Sequence, residues 1–236
     1  MLKNLVLLLF IVIFAPATQF KDAAAQPKTL SEAVTWLEKE SHRLIRASKR
    51  TMKDGTAAFP PQVGIGYEAF WLRDYAYTLE GSIDSYSEKE HHIWGSVFAV
   101  YLGVADENQS RAIATYFRDH YSQIVQKGQI RHLPANTYWE SCQAARDTYQ
   151  NGAYWATPTG WFVYTLDLVD PKLADQTVID LVTDFQKNGA CEWVFGEKHQ
   201  LPNYLASASL PLAGIRAMIE NRKTDASSII PATPND

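Results

Sequence analysis

The stretch "TLSEAVTWLEKESHRLIRASKR" (residues 29–50) decides the fold class, because its apolar residues recur at helical spacing. Thr29 and Glu32 occupy the two positions of a capping box, which marks the start of a helix. Residues three and four positions apart lie on one face of an α-helix. The apolar residues that share this face are Leu30, Val34, Leu37, Leu44 and Ile45. The stretch therefore predicts an amphipathic helix that packs against other elements.

The same periodicity continues through most of the chain and outlines further helices. Pro171 stands just before one of them, where the first turn of a helix tolerates proline. Strand signals are confined to "GQIRHLP" (128–134) and "CEWVF" (191–195). The further helices are predicted at residues 69–83, 93–103, 107–121, 158–169, 172–187 and 204–220. Since they come in pairs with short connections, we expect an all-α fold of stacked helical hairpins.

Composition limits the possible partners. The chain has 236 residues, 46% of them hydrophobic and 20% charged, which is enough apolar material for one core. A net charge of -4 without a run of Lys or Arg excludes the positive surface that nucleic acid requires. No cofactor motif and no metal-ligand spacing of Cys and His is present, so we predict neither a cofactor nor a metal.

The N-terminus has the layout of a secretory signal. Lys3 precedes an apolar run at residues 5–14, and small residues follow it. We assign residues 1–25 to the signal, 26–223 to one domain and 224–236 to a disordered tail; a retained N-terminal anchor is the alternative. The protein is then exported, and its only expected membrane contact is the signal segment. Export would allow a disulfide between Cys142 and Cys191, although two separate buried thiols fit equally well.

Aromatic and polar residues concentrate in three long loops, at residues 51–67, 126–156 and 188–203. Sugars present hydroxyl edges and apolar faces, so a sugar site combines flat rings with a few hydrogen-bonding groups. The segment around the first loop contributes Tyr67, Trp71, Arg73 and Asp74. The other two loops contribute Tyr138, Trp139, Glu140, Asp147, Tyr149, Asn151, Trp155, Glu192, Trp193, Glu197 and Tyr204. We expect these segments to converge on one cleft that binds an oligosaccharide or glycoside.

Glycosidic hydrolysis requires two carboxyl groups, and Asp74 and Glu192 are the candidates. Asp74 lies beside Trp71, among rings that would raise its pKa and suit it to the role of acid; Glu192 would be the base. A helix cap is the alternative for Asp74, and a salt bridge is the alternative for Glu192. Asn151 with Gly152 equally fits a turn, Trp155 fits a core position, and His91 with His92 fits a helix start.

Four segments together resemble the six-hairpin glycosidases, the (α/α)6-barrel clan of glucoamylase-like and trehalase-like enzymes. They are "FWLRDYAY" (70–77), "YQNGAYW" (149–155), "CEWVFGE" (191–197) and "NYLASASLPLAGI" (203–215). The first resembles the segment that bears the general acid, the second a segment lining the cleft, and the last two the base-bearing turn and final helix. The resemblance implies Asp74 as acid, Glu192 as base and an activated water that inverts the anomeric carbon. Glu140, Asp147 and Glu197 lie in equally suitable loops and are the alternatives for the base.

The chain departs from this family in length. A complete barrel has twelve helices, whereas the sequence pattern predicts about seven. The break falls near "SIDSYSEKEHHIWGS" (82–96), where the acid-bearing helix is followed directly by a segment resembling a late hairpin. We therefore expect an incomplete (α/α)6 toroid, whose uncovered helix faces would favour self-association. A non-catalytic carbohydrate-binding protein with the same aromatic cleft is the alternative function, and a plain helical scaffold is a third.

Overall fold

A computed structural model describes residues 26–51, 57–58, 92–139 and 144–228. Within these residues the chain forms seven helices and three two-stranded antiparallel sheets. The helices are α1 (Leu30–Ser48), α2 (Ile93–Tyr101), α3 (Glu107–Asp119), α4 (Tyr121–Ile124), α5 (Thr159–Leu166), α6 (Pro171–Asn188) and α7 (Leu205–Ser228). The strands are β1 (Arg50–Thr51), β2 (Ala57–Ala58), β3 (Val125–Gln126), β4 (Gln129–Ile130), β5 (Trp193–Phe195) and β6 (Lys198–Gln200).

This architecture confirms the all-α class, and the local signals behave as predicted. Thr29 accepts a hydrogen bond from the Glu32 backbone at 3.2 Å, and the Glu32 carboxylate accepts from Thr29 in return, which completes the capping box of α1. Pro171 stands in the first turn of α6. The two strand signals also correspond to strands, β4 in the first and β5 in the second.

The predicted ends of α2, α3 and α5 differ from the structure by two or three residues, and two larger differences concern α4 and α7. Helix α4 was not predicted, because four residues are too short to show a helical period. Helix α7 ends at Ser228 rather than at residue 220, since residues 221–228 contain no Gly or Pro to stop it. The first part of the predicted tail is therefore helical. The predicted helix at 69–83 and the signal at 1–25 lie outside the described residues.

The core is centred on α5, which contacts α2, α3, α6 and α7. Its Phe162, Val163 and Leu166 side chains are fully buried. Gly160 and Gly214 let α5 and α7 meet backbone to backbone: a Cβ on Gly160 would stand 2.3 Å from the Pro211 carbonyl oxygen. Helix α1 packs against α6 and α7. In the part of the chain described, no helix has both the length and the apolarity to span a bilayer.

Short backbone pairings join the loops to this core. Ile130 of β4 pairs with Trp155, and Tyr154 pairs with Val194 of β5. The chain therefore forms a continuous path from the β3–β4 hairpin through residues 154–155 to the β5–β6 hairpin. This path fixes the relative positions of the second and third predicted loops.

Candidate functional site

Two of the three predicted loops meet, as expected. Tyr154 and Val194 exchange two backbone hydrogen bonds of 2.9 Å, and Trp155 and Ile130 exchange two of 3.0 and 2.8 Å. These bonds bring residues 126–156 against residues 188–203. The first loop and the segment after it lie largely outside the described residues, and so do the predicted site residues Tyr67, Trp71, Arg73, Asp74 and Glu140. Their roles stay predictions.

Glu192 stands directly before β5 and is almost completely buried, with 3% of its surface exposed. Its backbone N–H donates to the carbonyl oxygens of Gln200 and Leu201 at 2.9 and 3.1 Å, which fixes the residue at the open end of the hairpin. Burial raises the pKa of Glu192 to about 7. Among the described residues no ion pair reaches its carboxyl group, and the salt-bridge alternative stays open for partners outside them.

The other carboxyl groups of these loops have more ordinary surroundings. Glu197 is 87% exposed and lies 3.3 Å from the Lys127 ammonium group, as a surface ion pair does. Asp147 is half-buried, and its Oδ1 accepts a 2.8 Å hydrogen bond from the Tyr138 hydroxyl. Of these three carboxyl groups, Glu192 alone is buried without a hydrogen-bonding partner among the described residues. It is therefore the best candidate for proton transfer.

Two of the predicted site tryptophans, Trp155 and Trp193, pack into the hydrophobic core. Trp155 is 4% exposed, and its ring N–H donates to the Tyr149 carbonyl oxygen at 3.0 Å. Trp193 is also buried, with the Lys198 ammonium group 5.0 Å from its ring centre. These positions favour the core alternative for Trp155 and leave neither ring open as a broad sugar platform. Tyr149 is exposed, and its ring meets the edge of Trp155.

Asn151 holds its loop together through hydrogen bonds from a buried side chain. Its side chain is buried; Oδ1 accepts from the Trp139 backbone and Nδ2 donates to the Ala144 carbonyl, both at 2.9 Å. Gly152 follows with φ 115°, and a Cβ there would stand 2.9 Å from the Arg131 guanidinium. The pair is therefore more than an exposed turn. The Asn151 amide joins the segments of Trp139 and Ala144, and the missing side chain of Gly152 leaves room for the Arg131 guanidinium.

Tyr204 and Cys191 have structural surroundings. The Tyr204 backbone N–H donates to the Ala190 carbonyl oxygen at 2.8 Å, which ties the start of α7 to the segment before Glu192. Cys191 is buried, with its sulfur 3.6 Å from the Asn188 carbonyl oxygen. Cys142 lies outside the described residues, so the disulfide stays a prediction.

Arg131 is a site residue that the sequence reasoning missed. Its buried guanidinium stacks on the rings of Tyr138 and Tyr154, 5.7 and 5.3 Å from their centres. Nη2 lies 4.0 Å from the Asp147 carboxylate, too far for a hydrogen bond. Within the described residues Nε and Nη2 find no acceptor. A charged residue inside the apolar strand signal "GQIRHLP" was the available clue.

His132 and His92 form an aromatic group next to Arg131. The His132 ring stacks on Trp94 with centres 3.5 Å apart, and burial, followed by the nearby His92, holds the pKa of His132 well below its ordinary value. His92 caps α2 by accepting from the Gly95 backbone at 2.8 Å, which confirms the predicted helix start. No group of three His, Cys, Asp or Glu residues within the described ranges is arranged to hold a metal.

Comparison with known proteins adds no relative. No protein family model, no curated protein and no solved structure matches the chain. The resemblance to six-hairpin glycosidases therefore depends on the quoted motifs, and the site has to be judged by its own geometry.

Proposed function

We propose that the chain is an exported glycoside hydrolase-like protein with an incomplete (α/α)6 toroid, acting on an oligosaccharide or glycoside. The observation that carries this proposal is Glu192, a buried carboxyl group whose pKa is raised to about 7. General acid–base catalysis is most efficient when the pKa of the group lies near the working pH. Burial that raises the pKa of a carboxyl group in this way is common at catalytic sites, which favours a chemical role.

The neighbouring loop supplies groups that suit a sugar. Asp147 is half-buried and offers carboxylate acceptors, while the buried Arg131 guanidinium 4.0 Å away balances its charge without a direct hydrogen bond. The Tyr138 ring lies beside these groups, and the exposed Tyr149 ring packs on Trp155; both provide apolar surface. The opposite charges of Arg131 and Asp147 favour a neutral sugar over an acidic one.

The roles follow the family resemblance. Asp74 protonates the leaving oxygen, and ionised Glu192 activates the water that attacks the anomeric carbon from the opposite side, with inversion. The proton released by the water passes to Glu192, and the proton on Asp74 leaves with the departing alcohol. Asp74 lies outside the described residues, so this pairing depends on the "FWLRDYAY" motif alone.

The pH dependence of turnover distinguishes the two possible roles of Glu192. A base must be ionised, so turnover would rise with pH up to about 7 and then level off. An acid must be protonated, so turnover would fall over the same interval. The rising profile is the one that the proposal expects.

The direct test uses a panel of neutral aryl glycosides and the variant Glu192→Gln. We expect turnover to fall by at least about a hundredfold, because general acid–base groups contribute about 10² to 10⁴ in rate. Glu197→Gln is the matched control and should keep its activity. Full activity in Glu192→Gln would contradict the proposal. Sugar-dependent quenching of Trp fluorescence without hydrolysis by the native protein would instead favour the carbohydrate-binding alternative.

A further inference from the structure

A polar cluster on α6 faces the β5–β6 hairpin and is not used by the proposed chemistry. At its centre is Asp184, which is 7% exposed. Its Oδ1 accepts from His199 Nε2 and from Asn188 Nδ2, both at 2.9 Å, and its Oδ2 accepts from Gln129 Nε2 at 3.1 Å. A buried carboxylate is tolerated when its oxygens are satisfied in this way. Asp184 thereby links α6, β4 and β6.

His199 occupies the middle of β6, and both of its ring nitrogens contact oxygen acceptors. Nε2 faces the Asp184 carboxylate, and Nδ1 lies 3.0 Å from the Glu197 carbonyl oxygen. A neutral imidazole has one donor and one acceptor, so it satisfies only one of these oxygens; the imidazolium form satisfies both. The charged groups that surround the pair are Lys127, 3.9 Å from Asp184, and Glu197, 3.3 Å from Lys127.

The hairpin has few other anchors. Strand β5 is bonded to Tyr154 on one side, whereas β6 has β5 as its only neighbouring strand in the described part of the chain. At the tip, Gly196 donates to the Gln126 side chain at 3.0 Å and accepts from Lys127 at 2.9 Å. Beyond these bonds at the tip, the His199–Asp184 contact holds β6 against α6.

Glu192 is coupled to this edge through the backbone. Its N–H donates to Gln200, the residue after His199, and to Leu201. A displacement of β6 away from α6 would move these two carbonyl groups, and with them the backbone of Glu192. The His199–Asp184 contact is therefore linked to the candidate catalytic residue through the backbone hydrogen bonds of β6.

We propose that Asp184 and His199 form a positioning pair that holds the β5–β6 hairpin against α6 and thereby fixes Glu192 in its buried environment. The inference rests on the proposed function only where it treats Glu192 as a catalytic group. The geometric claim stands on the hydrogen bonds of the hairpin. His199 and Asp184 act through Glu192, and neither is placed in contact with a substrate.

The test is the titration of Glu192 itself, followed by carbon NMR of selectively labelled glutamate and assigned with Glu192→Gln. In His199→Gln, the pKa of Glu192 should fall from about 7 by at least one unit, because the loosened hairpin admits water. Exchange of the Glu192 amide proton should accelerate in parallel. His120→Gln is the matched control, since His120 is another half-buried histidine, at the end of α3, whose ring bonds only its own helix.

Asp184→Asn provides a second variant that keeps the side-chain volume and should lower the pKa of Glu192 in the same direction. An unchanged Glu192 titration in folded His199→Gln and Asp184→Asn would overturn the inference. Global unfolding of both variants would also overturn it, since the pair would then serve general stability. The measurement needs no substrate, so an inactive native protein would contradict the proposed function and leave this result intact.

Discussion

The contact between α5 and α7 and the junction between the loop and the β5–β6 hairpin are held by different forces. The helices meet at Gly160 and Gly214 with their backbones in contact, and buried apolar side chains surround the crossing. The junction depends on two backbone bonds at Tyr154 and on polar side chains such as Asn151. Apolar packing thus stabilises the helical scaffold, whereas the junction is held by hydrogen bonds of buried polar groups. Such groups are costly to bury, so we connect them with the candidate site.

This comparison predicts the largest effect for Gly160→Ala. The added Cβ would stand 2.3 Å from the Pro211 carbonyl oxygen, so α5 and α7 must separate. We expect a loss of about 3 kcal/mol or more in the free energy of unfolding, measured by urea denaturation. Gly103→Ala is the control, since among the described residues no heavy atom lies within 4 Å of the Cβ it would add. Only the positive φ of 69° opposes this change, at about 1 kcal/mol. Equal losses would contradict the close approach.

The second effect is the cost of ionising Glu192. Because the folded protein binds this proton more tightly than the unfolded chain, the free energy of unfolding should fall as pH rises from about 4.5 to about 7. The decline is the free energy that ionising the buried carboxyl costs the folded protein, and it is complete once the pH has passed the pKa of the folded state. The Glu192→Gln variant should lack this part of the decline. Parallel pH profiles for the two proteins would contradict the assignment.

Asn151→Ala tests the polar side of the comparison at an intermediate magnitude. The substitution leaves the Trp139 N–H and the Ala144 carbonyl without their partner. We expect a loss of about 2 kcal/mol, in the range for unsatisfied buried groups. Thermal unfolding measures it. A loss below about 0.5 kcal/mol would show that water replaces the amide and that the loop is less tightly built than described.

Glu197→Gln should have the smallest effect. Its carboxylate is 87% exposed and pairs with Lys127 at the surface, so solvent screens the interaction. We expect a change within about 0.5 kcal/mol in urea denaturation. A loss above about 2 kcal/mol would mean that the tip of the hairpin depends on this ion pair, and the contrast between Glu192 and Glu197 would then weaken.

The sequence predicted the helices better than the site. The helix predictions depended on local signals, which are the cap at Thr29, the start of α6 at Pro171 and the helical spacing of apolar residues. Local signals predict well because they involve residues that are close in sequence. The burial of Trp155 and Trp193 depends on neighbours far along the chain, so composition alone made them resemble sugar platforms. Arg131 and His199 were missed for the same reason, because their partners Asp147 and Asp184 stand 16 and 15 residues away.

The most direct test of the central claim is the pKa of Glu192 in the native protein, measured by carbon NMR of labelled glutamate. The account predicts a midpoint of about 7, well above the ordinary value of 4.5, because the carboxyl is buried without a partner among the described residues. A midpoint near 4.5 would show that water or a cation reaches the carboxyl group, and it would contradict the proposed role of Glu192 in proton transfer.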